Sequence, residues 1–210
     1  MRHRKGYIWL RTIILWFKMD NDEKNQILKI LIENQEQEWT IRKLSLLRKI
    51  NYKSAYNAIL KLEKIGIVEV KKIGNSSRCS FNKKFDSLVF EVENQRREDL
   101  LKNKNFLVMY DELGKINEQF IILMFGSQVK GTAKKNSDID LLVISNDDET
   151  REVENKINLL PLKIHITAIS YKSFIQMLKS KEFSVVSEAI KKNIILFGVE
   201  DYYRILENVR

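Results

Sequence analysis

The sequence has little of what bends, staples or metallates a chain. Its 210 residues hold one proline, seven glycines, one cysteine and two histidines. The single Cys79 closes no internal disulfide, which suits a reducing compartment, and cytoplasmic localisation is the expectation. Two histidines and one cysteine fall short of a structural zinc site. So little glycine and proline excludes collagen-like and low-complexity segments. The apolar opening "MRHRKGYIWLRTIILWFK" is interrupted by Arg11 and is too short for a membrane span, so no membrane partner is expected. No small-residue cleavage site follows it, which argues against a signal peptide. Two readings of residues 1–18 stand open: a non-native upstream extension, with Met19 opening the protein proper, or a short amphipathic surface helix.

What is present is a foldable, unevenly charged chain. It is 44% apolar and 31% charged, enough for a core and too apolar for disorder. The net charge of +9 is lopsided. Residues 1–84 carry 19 Lys+Arg and 8 Asp+Glu, a net of +11, while residues 85–210 carry 18 and 20, a net of −2. A basic half joined to a near-neutral half points to nucleic-acid binding in the first and another task in the second, with a merely basic, soluble surface as the alternative that charge alone does not exclude.

In the basic half, Ile27, Ile30 and Leu31 recur at helical spacing. Thr40 can cap a second helix, "IRKLSLLRKI". Asn51 and Tyr52 form a short break, a third helix covers roughly 53–65, and Gly66 is placed to stop it in the left-handed conformation. Two β-like runs, "IVEVKKI" and "SRCSFNKK", follow, with "GNSS" between them as hairpin chemistry. Ala55, Ile59 and Leu62 share the inward face of the third helix. Lys53, Ser54, Asn57 and Lys61 fall on the outward face. Three short helices and a hairpin, with "NYKSAYNAILKLEKIGIVEVKK" at their centre, resemble the winged helix-turn-helix family over residues 19–84. That resemblance implies double-stranded DNA as partner. Lys53 and Lys61 would reach phosphates from the outward face they share with Ser54, Asn57 would meet base edges, and Lys71, Lys72 and Arg78 would sit on the wing. A protein-docking module with solubilising lysines is the competing use of the same face.

Residues 85–117 have helical periodicity and little turn chemistry. They predict one long or two shorter helices linking the halves, a candidate surface for a homodimer.

The second half, 118–210, opens on the apolar run "FIILMF", long enough for a buried strand. Gly126 and Ser127 follow, then Lys130 and Gly131. A second apolar run, "DIDLLVIS", opens with Asp138 and Asp140 just after Ser137. Strand alternation puts both carboxylates on one face, where a divalent cation or solvent must relieve their repulsion. This pattern resembles the signature of the nucleotidyltransferase superfamily related to DNA polymerase beta, especially its minimal members. The match comprises Gly126, Ser127, Lys130, Gly131, Ser137, Asp138 and Asp140. The resemblance implies a small mixed sheet flanked by helices, so the whole chain is expected to be α/β (α+β). It implies Mg²⁺ held by Asp138 and Asp140, and triphosphate held by Gly126, Ser127, Lys130, Gly131 and Ser137. The reaction would move a nucleoside monophosphate from a nucleoside triphosphate to an acceptor hydroxyl, on nucleic acid, a small molecule or a partner protein of toxin–antitoxin type. The family's third carboxylate has no acidic counterpart on the next β-like run, "LKIHITAIS", where His165 is the best-placed polar residue. That histidine is open to three uses: base, metal ligand, or a satisfied residue in an inactive site. The alternative function is a DNA-binding regulator whose second domain binds nucleotide without turnover.

Overall fold

The computed structural model describes residues 22–74, 76–134, 137–180 and 184–209. The two readings of residues 1–18 concern residues outside this set. The described chain forms two units. One comprises residues up to Ile32 with Glu36–Asn82, the other Glu33–Gln35 with the residues from Lys83 onward.

The first unit runs α1 (22–33), β1 (Trp39–Thr40), α2 (Ile41–Arg48), α3 (Tyr52–Lys64), β2 (Val68–Ile73) and β3 (Ser76–Phe81). Its helix ends follow local chemistry. Thr40 Oγ1 accepts a hydrogen bond from the Lys43 amide at 3.1 Å, capping α2. Asn51 Oδ1 accepts from the Ser54 amide at 2.8 Å, so Asn51 is the cap of α3 and Tyr52 its first residue. Gly66, at φ +78°, turns the chain out of α3, a conformation that costs a side chain little only when there is none. Strands β2 and β3 pair antiparallel from Val68↔Phe81 to Ile73↔Ser76. The two-residue β1 adds to β3 through Trp39↔Cys79, giving the sheet order β1-β3-β2. Ile27, Leu28, Leu31, Ile41, Leu44, Ala55, Ile59 and Leu62 are all buried.

The second unit contains α4 (Ser87–Leu101), α5 (Lys104–Leu113), β4 (Ile121–Phe125), α6 (Ser127–Lys130), β5 (Ile139–Ile144), α7 (Asp147–Asn158), β6 (Ile164–Ile169), α8 (Tyr171–Ser180), α9 (Val185–Lys191), β7 (Ile194–Phe197) and α10 (Val199–Asn208). Its four-stranded sheet has the order β6-β5-β4-β7. Strand β4 is antiparallel to both neighbours, whereas β5 and β6 are parallel and joined through α7. The segment expected to link the halves forms α4 and α5 and is part of this unit. Phe106, Met109 and Leu113 of α5 join Ile122, Met124, Leu141, Val143, Val153 and Ile157 in one apolar cluster. Helix α7, "DDETREVENKIN", has no counterpart among the sequence expectations. Only Val153 and Ile157 of it are buried, so charge hides its period.

A polar network crosses this core. Arg96 donates to Glu93 at 2.5 Å and to the Asn193 carbonyl at 2.6 Å, and the Tyr203 hydroxyl donates to Glu93 at 2.5 Å. Burial, followed by the charge of Glu93, pushes the Tyr203 hydroxyl well above its ordinary range. Tyr202 and Tyr203 are both fully buried and pack the core of this unit. No helix among the described residues is long and apolar enough to cross a membrane.

Candidate functional site

All five residues of β4 are buried, and the strand ends at Gly126. Antiparallel pairing sets Phe125 opposite Asp140, so the strand exit runs past the Asp140 side chain. Gly126 has φ +73° and ψ −150°, a region open to glycine alone. A Cβ there would lie 2.1 Å from Asp140 Oδ2 and 3.0 Å from its Cγ. The carboxylate thus occupies the space that any side chain at 126 would claim.

The chain then makes the single turn α6. The Lys130 amide donates to the Gly126 carbonyl at 3.0 Å, and Gly131, at φ +73°, ends the turn. Ser137 Oγ accepts from the Lys134 amide at 2.8 Å and so closes the loop back toward β5. Gln128 Nε2 donates to the Ser137 carbonyl at 3.2 Å, bridging the two ends of that loop. Sequence reasoning missed Gln128, because no local pattern distinguishes it from any exposed helix residue.

Asp138 is exposed just before β5, and Asp140, second in the strand, is half-buried. Ile139 between them is buried in the apolar cluster, so alternation within β5 turns the Asp140 carboxylate to the other face of the strand. A cavity of about 500 Å³ is lined by Phe106, Gln128, Lys134, Ser137, Ile139 and Lys163 among others, and neither aspartate lines it. Its one lining residue on β5 is Ile139, which alternation sets on the face opposite Asp140.

On β6, His165 is in register with Asp140, its Nδ1 3.6 Å from Asp140 Oδ1. That is an ion-pair distance if the ring is protonated, and too long for a good hydrogen bond. His165 is 66% exposed at its side chain, so it is open to solvent rather than held by the core. Among the described residues, no group of three or more His, Cys, Asp and Glu side chains is arranged to hold a metal. Lys130 makes an ion pair with Glu188 of α9. Both side chains are exposed, so the pair contributes only about 0–1 kcal/mol and is readily exchanged. Glu188 was not visible as a partner from the sequence.

In the first unit, Lys53, Asn57, Lys61, Lys71, Lys72 and Arg78 are exposed and Ser54 is half-buried. Lys71 pairs with Glu69 and Arg78 with Glu38, each at 3.1 Å. The α3 surface also shows Tyr52 and Tyr56, with stacked rings 6.2 Å apart.

A family model described as a nucleotidyltransferase domain matches residues 110–198. The second unit therefore carries a nucleotidyltransferase domain, with the glycine–serine turn, both aspartates and His165 inside the matched span. No curated protein matches the chain. Among solved structures, an apo-form mutant of ZitR from Lactococcus lactis is 20% identical over 52% of this chain and 78% of that chain, with a TM-score of 0.30. That score is below what a shared fold gives.

Proposed function

We propose that the second unit transfers a nucleoside monophosphate from a nucleoside triphosphate to an acceptor hydroxyl, and that the first is a winged helix-turn-helix that brings it to double-stranded DNA. The observation that carries the first half is the Asp140 carboxylate seated in the space vacated at Gly126, inside a matched nucleotidyltransferase span. On this reading the glycine turn, Ser127 and the acid pair would form one surface.

The donor set suits Mg²⁺, which accepts one or two protein carboxylates and completes its shell with phosphate oxygens and water. Asp138 and Asp140 would hold it, and it would supply charge neutralisation for the leaving pyrophosphate. Ser127 and the free amides of the α6 turn would bind the terminal phosphates. Lys130 would exchange Glu188 for phosphate at little cost, since the pair is exposed. The acceptor oxygen forms its bond to the α-phosphorus as the bond to the bridging oxygen breaks and pyrophosphate leaves. We assign the hydroxyl proton to His165. The acceptor class is nucleic acid, a small molecule or a partner protein.

A second reading has its own observation. Three clustered metal ligands are absent among the described residues, and an exposed histidine stands beside Asp140. On that reading the domain senses nucleotide without turnover and the chain is a DNA-binding regulator.

For the first unit, the element order and the sheet order β1-β3-β2 support the winged-helix reading, and the exposed lysines of α3 support DNA. Incubation with Mg²⁺ and each α-labelled triphosphate separates the readings. Pyrophosphate release and label transfer, both lost in Asp138→Asn with Asp140→Asn, mark the enzyme. A thermal shift with no release marks the sensor, and no shift at all refutes both. For DNA, affinity should fall steeply with salt, and Lys53→Ala and Lys61→Ala should each reduce the log–log slope by about 1.

A further inference from the structure

Helix α3 presents two parallel strips to solvent. Lys53, Asn57 and Lys61 recur every fourth residue and form a polar strip. Beside it, displaced by one residue, Tyr52, Tyr56 and Leu60 form a second strip, 52%, 40% and 39% exposed. Helix surfaces of soluble proteins seldom leave such a run uncovered. The two tyrosine rings are stacked, with centroids 6.2 Å and planes 20° apart, and make one aromatic plate at the start of the helix. Tyr52 is the first residue of α3 and Tyr56 lies one turn on. The start of a recognition helix is the part that reaches base edges in a major groove.

We infer that Tyr52 and Tyr56 are sequence-reading residues, whose rings pack on thymine 5-methyl groups in the major groove. This rests on the DNA-binding reading above and goes beyond it by naming the base. Charge decides between DNA and an apolar protein partner. The helix carries Lys53, Lys61 and Lys64 against a single acid, Glu63, so the strip lies in a cationic surround that suits phosphate. The division of labour is physical. Lysines meet phosphates, which are the same in every sequence, whereas an apolar plate meets the one apolar group that the major groove displays, the methyl of thymine.

The test uses the full chain and a duplex selected from a random library. Each thymine of the bound site is then replaced by uracil, which removes only the methyl group. Wild type should lose about fourfold in affinity for each methyl it covers. Tyr52→Ser with Tyr56→Ser should bind thymine and uracil duplexes equally, with its salt dependence unchanged. Tyr56→Phe should retain the discrimination, because the ring and not the hydroxyl carries it. These side chains are exposed, so an unaltered melting temperature verifies that the variants fold. Wild type indifferent to uracil overturns the inference while leaving salt-dependent DNA binding intact. So does a serine variant that still discriminates, or one whose only change is weaker self-association. A chain that binds no duplex overturns the inference and the DNA reading together.

Discussion

Replacing Gly126 by alanine tests how the site is built. The new methyl meets Asp140 Oδ2 at 2.1 Å, far inside contact distance. The backbone at φ +73° and ψ −150° also excludes a side chain, at about 1–3 kcal/mol. The carboxylate is the end of a side chain and can swing aside, so the steric part is relieved by rotation rather than by unfolding. The expected loss is thus about 2 kcal/mol, or roughly 4–8 °C in melting temperature for a chain of this size. The larger effect is on function. On the proposed metal site, a ligand at a hundred times its Kd would stabilise wild type by about 2.7 kcal/mol, and that increment should vanish in the variant, because Asp140 would no longer stand where the cation is proposed to bind. Thermal melting with and without Mg²⁺ and triphosphate measures both quantities. Gly74→Ala is the control, since Gly74 also has positive φ, at +57°, but open space around it. It should lose stability and keep the ligand increment. A Gly126→Ala protein with the wild-type melting temperature and the wild-type ligand increment would refute the reasoning.

Two further outcomes follow from the cores of the two units. Arg96→Met leaves Glu93 buried without its cation and should cost about 3–5 kcal/mol in urea unfolding, much of it recovered by adding Glu93→Leu. Burial pushes the Cys79 thiol up from 9.0 to about 12. Its contribution is therefore fully present below pH 9 and is lost as pH rises from there toward 12, where the unfolded thiol ionises and the folded one does not. Measured against Cys79→Ala, wild type should lose about 1.4 kcal/mol per pH unit across that window. Folded wild type should also resist thiol reagents near neutral pH.

Much of the fold is legible in the chain because its rules act over a few residues. The Thr40 cap, the Gly66 exit, the buried run of β4 and the alternation of β5 each depend on neighbours two to four positions away. The basic face of α3 follows from helical spacing in the same way. Where local signals are weak, reading fails. Strand β1 is two residues long and exists through its pairing with β3. Helix α7 is disguised by its charges, and α4 and α5 read as a spacer although Phe106, Met109 and Leu113 belong to the core of the second unit.

The site divides along the same line. Residue types and spacing alone determined which groups are available: a glycine–serine turn, a lysine, two aspartates of equal parity and a histidine. Only the tertiary structure decided that the Asp140 carboxylate fills the space beside Gly126, that His165 stands in register with it, that Gln128 bridges the loop, and that Glu188 engages Lys130. Those relations join residues far apart in the chain. They arise from how the strands pair and which helix packs where, and no repeat within the sequence records them.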